Sequence, residues 1–142
     1  MSAGDRPFDL EEIAEAFELL DDWNERYRYL IELGKELPAL SEAEHDKANK
    51  VDGCMSQVWL VADVTDDDPP RFVLRADSDA FIVKGLIAVL LAMFSHRTKA
   101  EILEVDAKAT FDRLGLAGHL SMGRRNGLES MVKRVRDLAA AR

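Results

Sequence analysis

The sequence contains a single cysteine, Cys54, which is its most reactive candidate nucleophile. Cys54 follows Gly53 and directly precedes a run of β-branched and aromatic residues that is typical of a β-strand. A thiol in a loop held by a rigid element is well placed to react, and the neighbouring glycine lets another molecule approach it. The alternative is that Cys54 is a small apolar side chain that only fills space in the interior.

The lack of a second cysteine excludes several kinds of site within the chain. These are an intrachain disulfide, a four-cysteine zinc site and an iron–sulfur cluster held by cysteines alone. The histidines His45, His96 and His119 have no ligand spacing with one another, so we expect no metal site.

Charge is unevenly distributed along the 142 residues, whose formal net charge is −8. Residues 1–50 carry −8, residues 51–95 carry −4 and residues 96–142 carry +4. The acidic balance argues against nucleic acid as the main partner. The asymmetry indicates either solvated helix faces or a surface that steers a partner protein.

The sequence also lacks a segment that resembles a targeting signal or a membrane span. Its most apolar run, residues 80–94, is interrupted by Lys84 and is shorter than the roughly 20 residues that a span needs. Residues 1–10 have no long apolar region and do not resemble a signal peptide. We therefore expect a cytoplasmic protein that does not contact membranes, with residues 80–94 as a buried helix.

The pattern of apolar residues predicts an α+β domain in which helices pack on a small antiparallel β-sheet. Residues 57–64 and 71–75 are the predicted strands of a hairpin, and residues 49–52 are a candidate third strand. We expect residues 1–8 to be a flexible N-terminus and residues 9–142 to form one domain. Apolar periodicity and capping residues predict helices at 9–20, 22–37, a short segment from Ser41, 78 or 79–94, 100–104, 107–114 and from Ser121 onward.

Residues 50–60, with the sequence KVDGCMSQVWL, resemble the signature of the SufE family of sulfur acceptors for cysteine desulfurases. Further blocks at 19–34, 77–88 and 114–132 resemble the same family, so the similarity covers residues 9–138. Asp52 departs from the pattern, since the family often has a basic residue there. A carboxylate at this position is expected to raise the pKa of the Cys54 thiol.

The resemblance implies a fold shared with the iron–sulfur scaffold proteins of the NifU/IscU type. It implies that Cys54 accepts persulfide sulfur from a pyridoxal-phosphate cysteine desulfurase (SufS- or CsdA-like), stimulates that enzyme, and passes sulfur to a Suf-type iron–sulfur scaffold. It implies no bound cofactor, and it leaves the SufE and CsdE branches unseparated. Gly53, Gln57, Asp77 and Arg124 are the residues expected at the cysteine loop and the partner surface.

Several of these residues have structural alternatives. Asp77, with Ser78 and Asp79, fits a helix cap. Arg124 fits a surface ion pair, and His119 fits a structural histidine bonded to the backbone.

Three functions stay open from the residues alone. The first is a sulfur carrier, for which a single thiol suffices. Its thiol would lie beside an apolar strand and is expected to face inward at rest. The second is a cysteine hydrolase that uses Cys54 as nucleophile and His119 as base. The third is a non-catalytic interaction module.

Overall fold

The computed structural model describes residues 8–142, and within that range it contains six helices and a three-stranded sheet, which confirms the predicted α+β class. The elements in chain order are α1 (Leu10–Leu19), α2 (Trp23–Gly34), β1 (Val58–Val64), β2 (Arg71–Ser78), α3 (Phe81–Phe94), β3 (Arg97–Thr98), α4 (Lys99–Glu104), α5 (Ala107–Arg113) and α6 (Met122–Ala140).

The sheet is antiparallel with the strand order β1-β2-β3. Burial alternates along β2, because its even-numbered residues from Phe72 to Ser78 face the helical core. The hairpin is confirmed, and β2 runs to Ser78 rather than ending at the predicted residue 75. The candidate third strand at 49–52 was wrong, since Lys50 forms only an isolated bridge with Trp59 and the third strand is β3.

Helix α3 lies at the centre of the molecule and is buried over eleven of its 14 residues. It packs against α2 and against strand β2 of the sheet. The contact with α2 depends on two glycines. An added Cβ at Gly85 would overlap the Leu30 carbonyl, and one at Gly34 would lie 2.7 Å from the Gly85 nitrogen. The absence of side chains at Gly34 and Gly85 thus allows α2 and α3 to approach each other closely.

Two of the predicted helix positions need correction. Residues 41–49 form turns rather than a helix, although Ser41 and Glu44 make both hydrogen bonds of a capping box. The segment lacks an apolar stripe that a helix would bury. Helix α3 begins at Phe81, with Ala80 as its N-cap and no side-chain cap bond.

Residues near both ends of the described chain are buried in the core. The predicted flexible N-terminus lies mostly outside the described residues, but Phe8 is only 4% exposed and packs in the core. Helix α6 starts after Ser121 as predicted and buries Leu128, Met131, Val132 and Val135. Within residues 8–142, no helix is both long enough and apolar enough to cross a membrane.

Candidate functional site

Cys54 lies in the cysteine loop, residues 52–57, which leads into β1. Its Sγ donates a long hydrogen bond of 3.7 Å to the carbonyl oxygen of Gly127 in α6. An added Cβ at Gly127 would lie 3.7 Å from the same Sγ, so the thiol packs directly on this part of the helix. Cys54 is half-buried, in agreement with the expectation of an inward-facing thiol.

A small cavity of about 30 Å³ lies beside the thiol. The cysteine loop closes one side, and the other sides are lined by Val58, Val83, Leu86, Gly123, Arg124 and Met131. This space holds no more than about two water-sized groups. A protein that delivers an atom to Cys54 must therefore bind at the mouth of the cavity or turn the thiol outward.

The thiol is held in its protonated form by its surroundings. Burial raises the pKa of Cys54, and the Asp52 carboxylate raises it further, as the sequence predicts. Arg124 is the one cation among the residues that line the cavity. Among residues 8–142, no carboxylate forms an ion pair with Arg124, so the alternative of a surface ion pair is not found there.

Gly53 has a backbone conformation that favours glycine, with φ +88°. An added Cβ would also overlap Oγ of Ser130 in α6. Both observations explain why a glycine precedes Cys54, and they place the loop backbone in contact with the helix.

The C-terminal end of the cysteine loop is fixed by a reciprocal pair of hydrogen bonds. The Gln57 amide donates to Oδ1 of Asp79 at 3.0 Å, and the Asp79 amide donates to the Gln57 carbonyl at 3.3 Å. Asp79 therefore holds the loop instead of capping α3. The interpretation of residues 77–79 as a helix cap was wrong, because β2 extends through Ser78 and moves the start of α3 to Phe81.

The N-terminal end of the loop is fixed by a second set of contacts. The Val51 amide donates to the Val58 carbonyl at 2.8 Å. The guanidinium of Arg134 in α6 donates to the carbonyls of Ala48 at 2.6 Å and Lys50 at 3.3 Å. Between these anchors, the thiol–Gly127 contact is the one hydrogen bond made by residues 52–56 to other described residues.

Asp77 lies apart from the cysteine cavity. It pairs with Trp59 across the hairpin, and its carboxylate contacts His45 Nε2 at 2.8 Å and Lys84 Nζ at 3.5 Å. Its expected place at the cysteine loop is taken by Asp79, and no sequence pattern distinguished the two aspartates. A role for Asp77 in a partner surface stays a prediction.

His119 does not line the cysteine cavity, and neither does any other histidine. Its Nδ1 contacts the Gly115 carbonyl at 3.0 Å, and its ring stacks on Trp23 with centroids 3.9 Å apart. These contacts confirm the interpretation of His119 as a structural histidine, and they leave the hydrolase alternative without a base beside Cys54. In the part of the chain that the structure describes, no group of three His, Cys, Asp or Glu residues could hold a metal ion.

Comparison with known proteins places these features in a family. Residues 11–139 match the family model SufE, described as an Fe-S metabolism associated domain. An uncharacterized SufE-like protein of Rhizobium meliloti (strain 1021) is 47% identical over 134 residues, which cover 94% of this chain and 96% of the relative. An uncharacterized SufE-like protein of Rhizobium etli is 48% identical over 145 residues, which cover 100% of this chain and 98% of the relative.

The fold has a counterpart among solved structures. The solution structure of a hypothetical protein from Thermus thermophilus matches with a TM-score of 0.73, covering 93% of each chain at 21% identity. This likeness concerns the fold alone. The family model and the two relatives agree with the resemblance carried by residues 50–60, and on these grounds the chain belongs to the SufE family.

Proposed function

We propose that this protein is a sulfur carrier that accepts persulfide sulfur from a pyridoxal-phosphate cysteine desulfurase on Cys54. In this proposal it stimulates the desulfurase by removing its persulfide, and it passes the sulfur to an iron–sulfur cluster assembly scaffold. The observation that carries the proposal is a single thiol on a loop that is anchored at both ends and only weakly held between them. Membership of a family associated with Fe–S metabolism supports the same role.

The chemistry that the proposal requires is a thiol–persulfide exchange. Cys54 gives up its proton, and its thiolate attacks the terminal sulfur of the donor's persulfide. A new S–S bond forms at Cys54 while the S–S bond of the donor breaks, and the donor cysteine leaves as a thiolate that takes up a proton. One thiol and one persulfide are present before and after the step, so no oxidant or reductant is consumed.

The resting geometry supports a carrier that reacts only when its partner is bound. An inward-facing, protonated thiol is a poor nucleophile, because the thiolate is the attacking form. We propose that docking of the desulfurase turns the cysteine loop outward and brings Cys54 to the donor. Arg124, at the edge of the cavity, is our candidate for stabilising the exposed thiolate or contacting the partner.

A lone thiol also suits the second half of the proposed cycle. A neighbouring thiol on the same chain could attack the Cys54 persulfide, close a disulfide and release the sulfur. With one cysteine in the sequence this loss cannot occur within the chain. The persulfide therefore persists until a thiol of the acceptor scaffold attacks its terminal sulfur.

Mass spectrometry of the intact protein tests the proposal. After incubation with desulfurase, pyridoxal phosphate and cysteine, we expect one reductant-labile sulfur atom on Cys54. The Cys54→Ser variant is expected to gain no sulfur and to lose the stimulation of the desulfurase, while Ser56→Ala, a change in the same loop, retains both. Absence of sulfur on the wild-type protein contradicts the carrier function. Full stimulation by Cys54→Ser would instead indicate an interaction module that acts without sulfur transfer.

A further inference from the structure

Asp52, which directly precedes Gly53 in the cysteine loop, is the only aspartate of the sequence that is followed by glycine. In an aspartate–glycine pair the glycine amide nitrogen can attack the side-chain carboxyl carbon, because glycine has no side chain to obstruct the approach. A C–N bond forms, water leaves, and the product is a cyclic succinimide. When water then breaks the bond from that nitrogen to the main-chain carbonyl carbon, the residue becomes isoaspartate. One water is lost and one is taken up, so the step consumes no co-reactant.

The structure leaves the two reacting groups of this pair unrestrained. Asp52 and Gly53 are both exposed and lie in a turn. Among residues 8–142, no group accepts a hydrogen bond from the Gly53 amide and none donates one to the Asp52 carboxylate. Neither group therefore has to break a contact before the nitrogen reaches the carboxyl carbon.

Asn126, the only asparagine followed by glycine, provides a comparison within the chain. A neutral side-chain amide is attacked more readily than an ionised carboxylate, so in an unfolded chain Asn126 closes the ring faster than Asp52. In the folded protein, however, Asn126 and Gly127 lie inside α6. Helical hydrogen bonding holds the Gly127 amide and keeps it from the side chain of the preceding residue. Folding therefore protects Asn126 and leaves Asp52 as the reactive position of the two.

We infer that Asp52 is a site of spontaneous isomerisation to isoaspartate, and that this modification releases the Cys54 thiol from α6. Isoaspartate carries the main chain through its side-chain carbons, which adds one C–C bond, or about 1.5 Å, to the loop. Isomerisation requires no sulfur transfer, so the inference extends beyond the proposed function and is tested independently of it.

The added length lies between two fixed points, since Arg134 holds the segment before the loop and Asp79 holds its other end. The loop cannot shift toward α6, because Gly53 already packs so closely on the Ser130 side chain that an added Cβ would overlap it. The loop must therefore bulge away from the helix. The long hydrogen bond from the thiol to the Gly127 carbonyl, at 3.7 Å, is the contact that is then lost.

Ageing of the native protein tests the modification itself. The wild-type protein is incubated with reductant at neutral pH and physiological temperature, digested, and assayed with an isoaspartate-specific methyltransferase. Electron-based fragmentation of the peptides then locates the modified residue. We expect isoaspartate to accumulate at Asp52, whereas Asn126 and the aspartates of the β1–β2 connection remain unmodified. In protein unfolded with guanidinium chloride, we expect Asn126 to react before Asp52.

The matched control variant is Asp52→Glu, which keeps the negative charge beside Cys54 but would have to close a larger ring, and that reaction is far slower. We expect freshly prepared wild-type and Asp52→Glu proteins to be alkylated at Cys54 at similar rates. After ageing, a fraction of the wild-type protein equal to its isoaspartate content is expected to react at least about threefold faster, because its thiol has left the helix. The aged Asp52→Glu protein is expected to show no such fraction.

The Asp52→Asn variant creates a second asparagine–glycine pair, in the unprotected loop. We expect it to convert sooner than the wild-type protein, with the mass increase that accompanies hydrolysis of an amide to an acid. Measurements of its thiol reactivity therefore need freshly prepared protein.

The outcomes separate the modification from its effect on Cys54. Absence of isoaspartate at Asp52 in the aged native protein overturns the inference, even when the unfolded protein is modified there. Isoaspartate at Asp52 without a faster-reacting fraction overturns the release of the thiol. A faster fraction that also appears in aged Asp52→Glu would trace the change to another cause and would overturn that release as well.

Discussion

Two features oppose ionisation of the Cys54 thiol in the free protein. Burial against α6 raises its pKa first, and the negative charge of Asp52 raises it further. The thiolate is the form that attacks sulfur, so both features keep the resting protein unreactive at neutral pH. A protected thiol also resists oxidation by small molecules, which suits the proposed function as a sulfur carrier.

The contribution of Asp52 can be measured with Asp52→Asn. Removal of the carboxylate lowers the pKa of Cys54 and raises the thiolate fraction at neutral pH. We expect alkylation of Cys54 by iodoacetamide to become about twofold faster. The reason is that repulsion between an exposed carboxylate and the thiolate is worth about a few tenths of a kcal/mol.

The control for this experiment is Asp66→Asn, which removes an exposed carboxylate from the β1–β2 connection. Its alkylation rate is expected to match that of the wild-type protein. An unchanged rate in Asp52→Asn would show that burial alone sets the reactivity of the thiol.

The sequence pointed to Cys54, Gly53 and Arg124 because local patterns identify them. A glycine before a lone cysteine, and a block of family-like residues, can be recognised without knowledge of the fold. Ser130 and Arg134 were not predicted, since their contacts join positions far apart in the chain. Arg134, for example, binds the carbonyl of a residue 84 positions away.

The cysteine loop is a short segment that is anchored at both ends and lies between α6, β1 and α3. Asp79 fixes one end through Gln57, and Arg134 fixes the other through the carbonyls of Ala48 and Lys50. Because both ends are fixed, the proposed outward turn of the thiol requires no rearrangement of the sheet.

Removal of one anchor tests this arrangement. Arg134→Met keeps a long side chain on α6 but loses both hydrogen bonds to the segment before the loop. We expect the free energy of unfolding to fall by about 1 kcal/mol. We also expect alkylation of Cys54 in the free protein to become about fivefold faster, because the loop opens at lower cost.

Lys133→Met provides the matched control. Lys133 is the preceding residue of the same helix, and its Nζ pairs with Asp137 one turn further along at 2.8 Å. An exposed pair of this kind contributes about 0.3–0.5 kcal/mol, and its loss leaves the cysteine loop untouched. Equal alkylation rates in the Arg134 and Lys133 variants would contradict the role of Arg134 as an anchor.

Most elements could be predicted from apolar periodicity and capping residues, and the exceptions have physical reasons. The predicted helix after Ser41 forms its capping bonds but does not continue, because Glu44 and His45 bind the sheet instead. The start of α3 was misplaced because Asp79 binds Gln57 across the fold. Local rules identify which side chains can cap a helix, whereas tertiary contacts decide which of them do.

Charged contacts connect the segment before the cysteine loop to the face of the sheet opposite the helical core. Arg75 forms two hydrogen bonds with Glu44, at 2.9 and 2.5 Å, and holds the pKa of that carboxyl at about 2. Arg75 also contacts Asp63, and His45 contacts Asp77. This segment leads directly into residues 49–51, which pair with β1. The charged contacts therefore contribute to the stability of the molecule and also fix the segment that enters the cysteine loop.

The pair formed by His45 and Asp77 makes this stability dependent on pH. The hydrogen bond to Asp77, followed by that to the Ser41 carbonyl, raises the pKa of His45 above its ordinary value of 6.5. Burial opposes ionisation of Asp77. This effect is outweighed by the hydrogen bond from His45, followed by the contacts with the Ser78 amide and Lys84, so that the pKa of Asp77 falls below 3.8. Glu44 and the ring of Trp59 also face His45, and the charge of Glu44 favours its protonated form.

The direction of the effect follows from these two shifts. A raised pKa means that the folded protein binds the proton more tightly than the unfolded chain does. The stabilisation from His45 is therefore complete below about pH 6.5 and is lost as the pH rises through the raised pKa. The stabilisation from Asp77 is complete above about pH 3.8 and is lost as the pH falls through the lowered pKa.

We therefore expect His45→Gln to destabilise the protein most between about pH 4 and 6.5, where both partners are charged in the folded state. The difference from the wild-type protein in free energy of unfolding, measured by urea denaturation at a series of pH values, is expected to shrink steadily toward about pH 8. In the Asp77→Asn background, the His45→Gln change is expected to lose most of this pH dependence, because the raised pKa of His45 depends first on Asp77. A difference that stays constant from about pH 5 to 8 would mean that the contact contributes through packing and neutral hydrogen bonding, and not through the charge of His45.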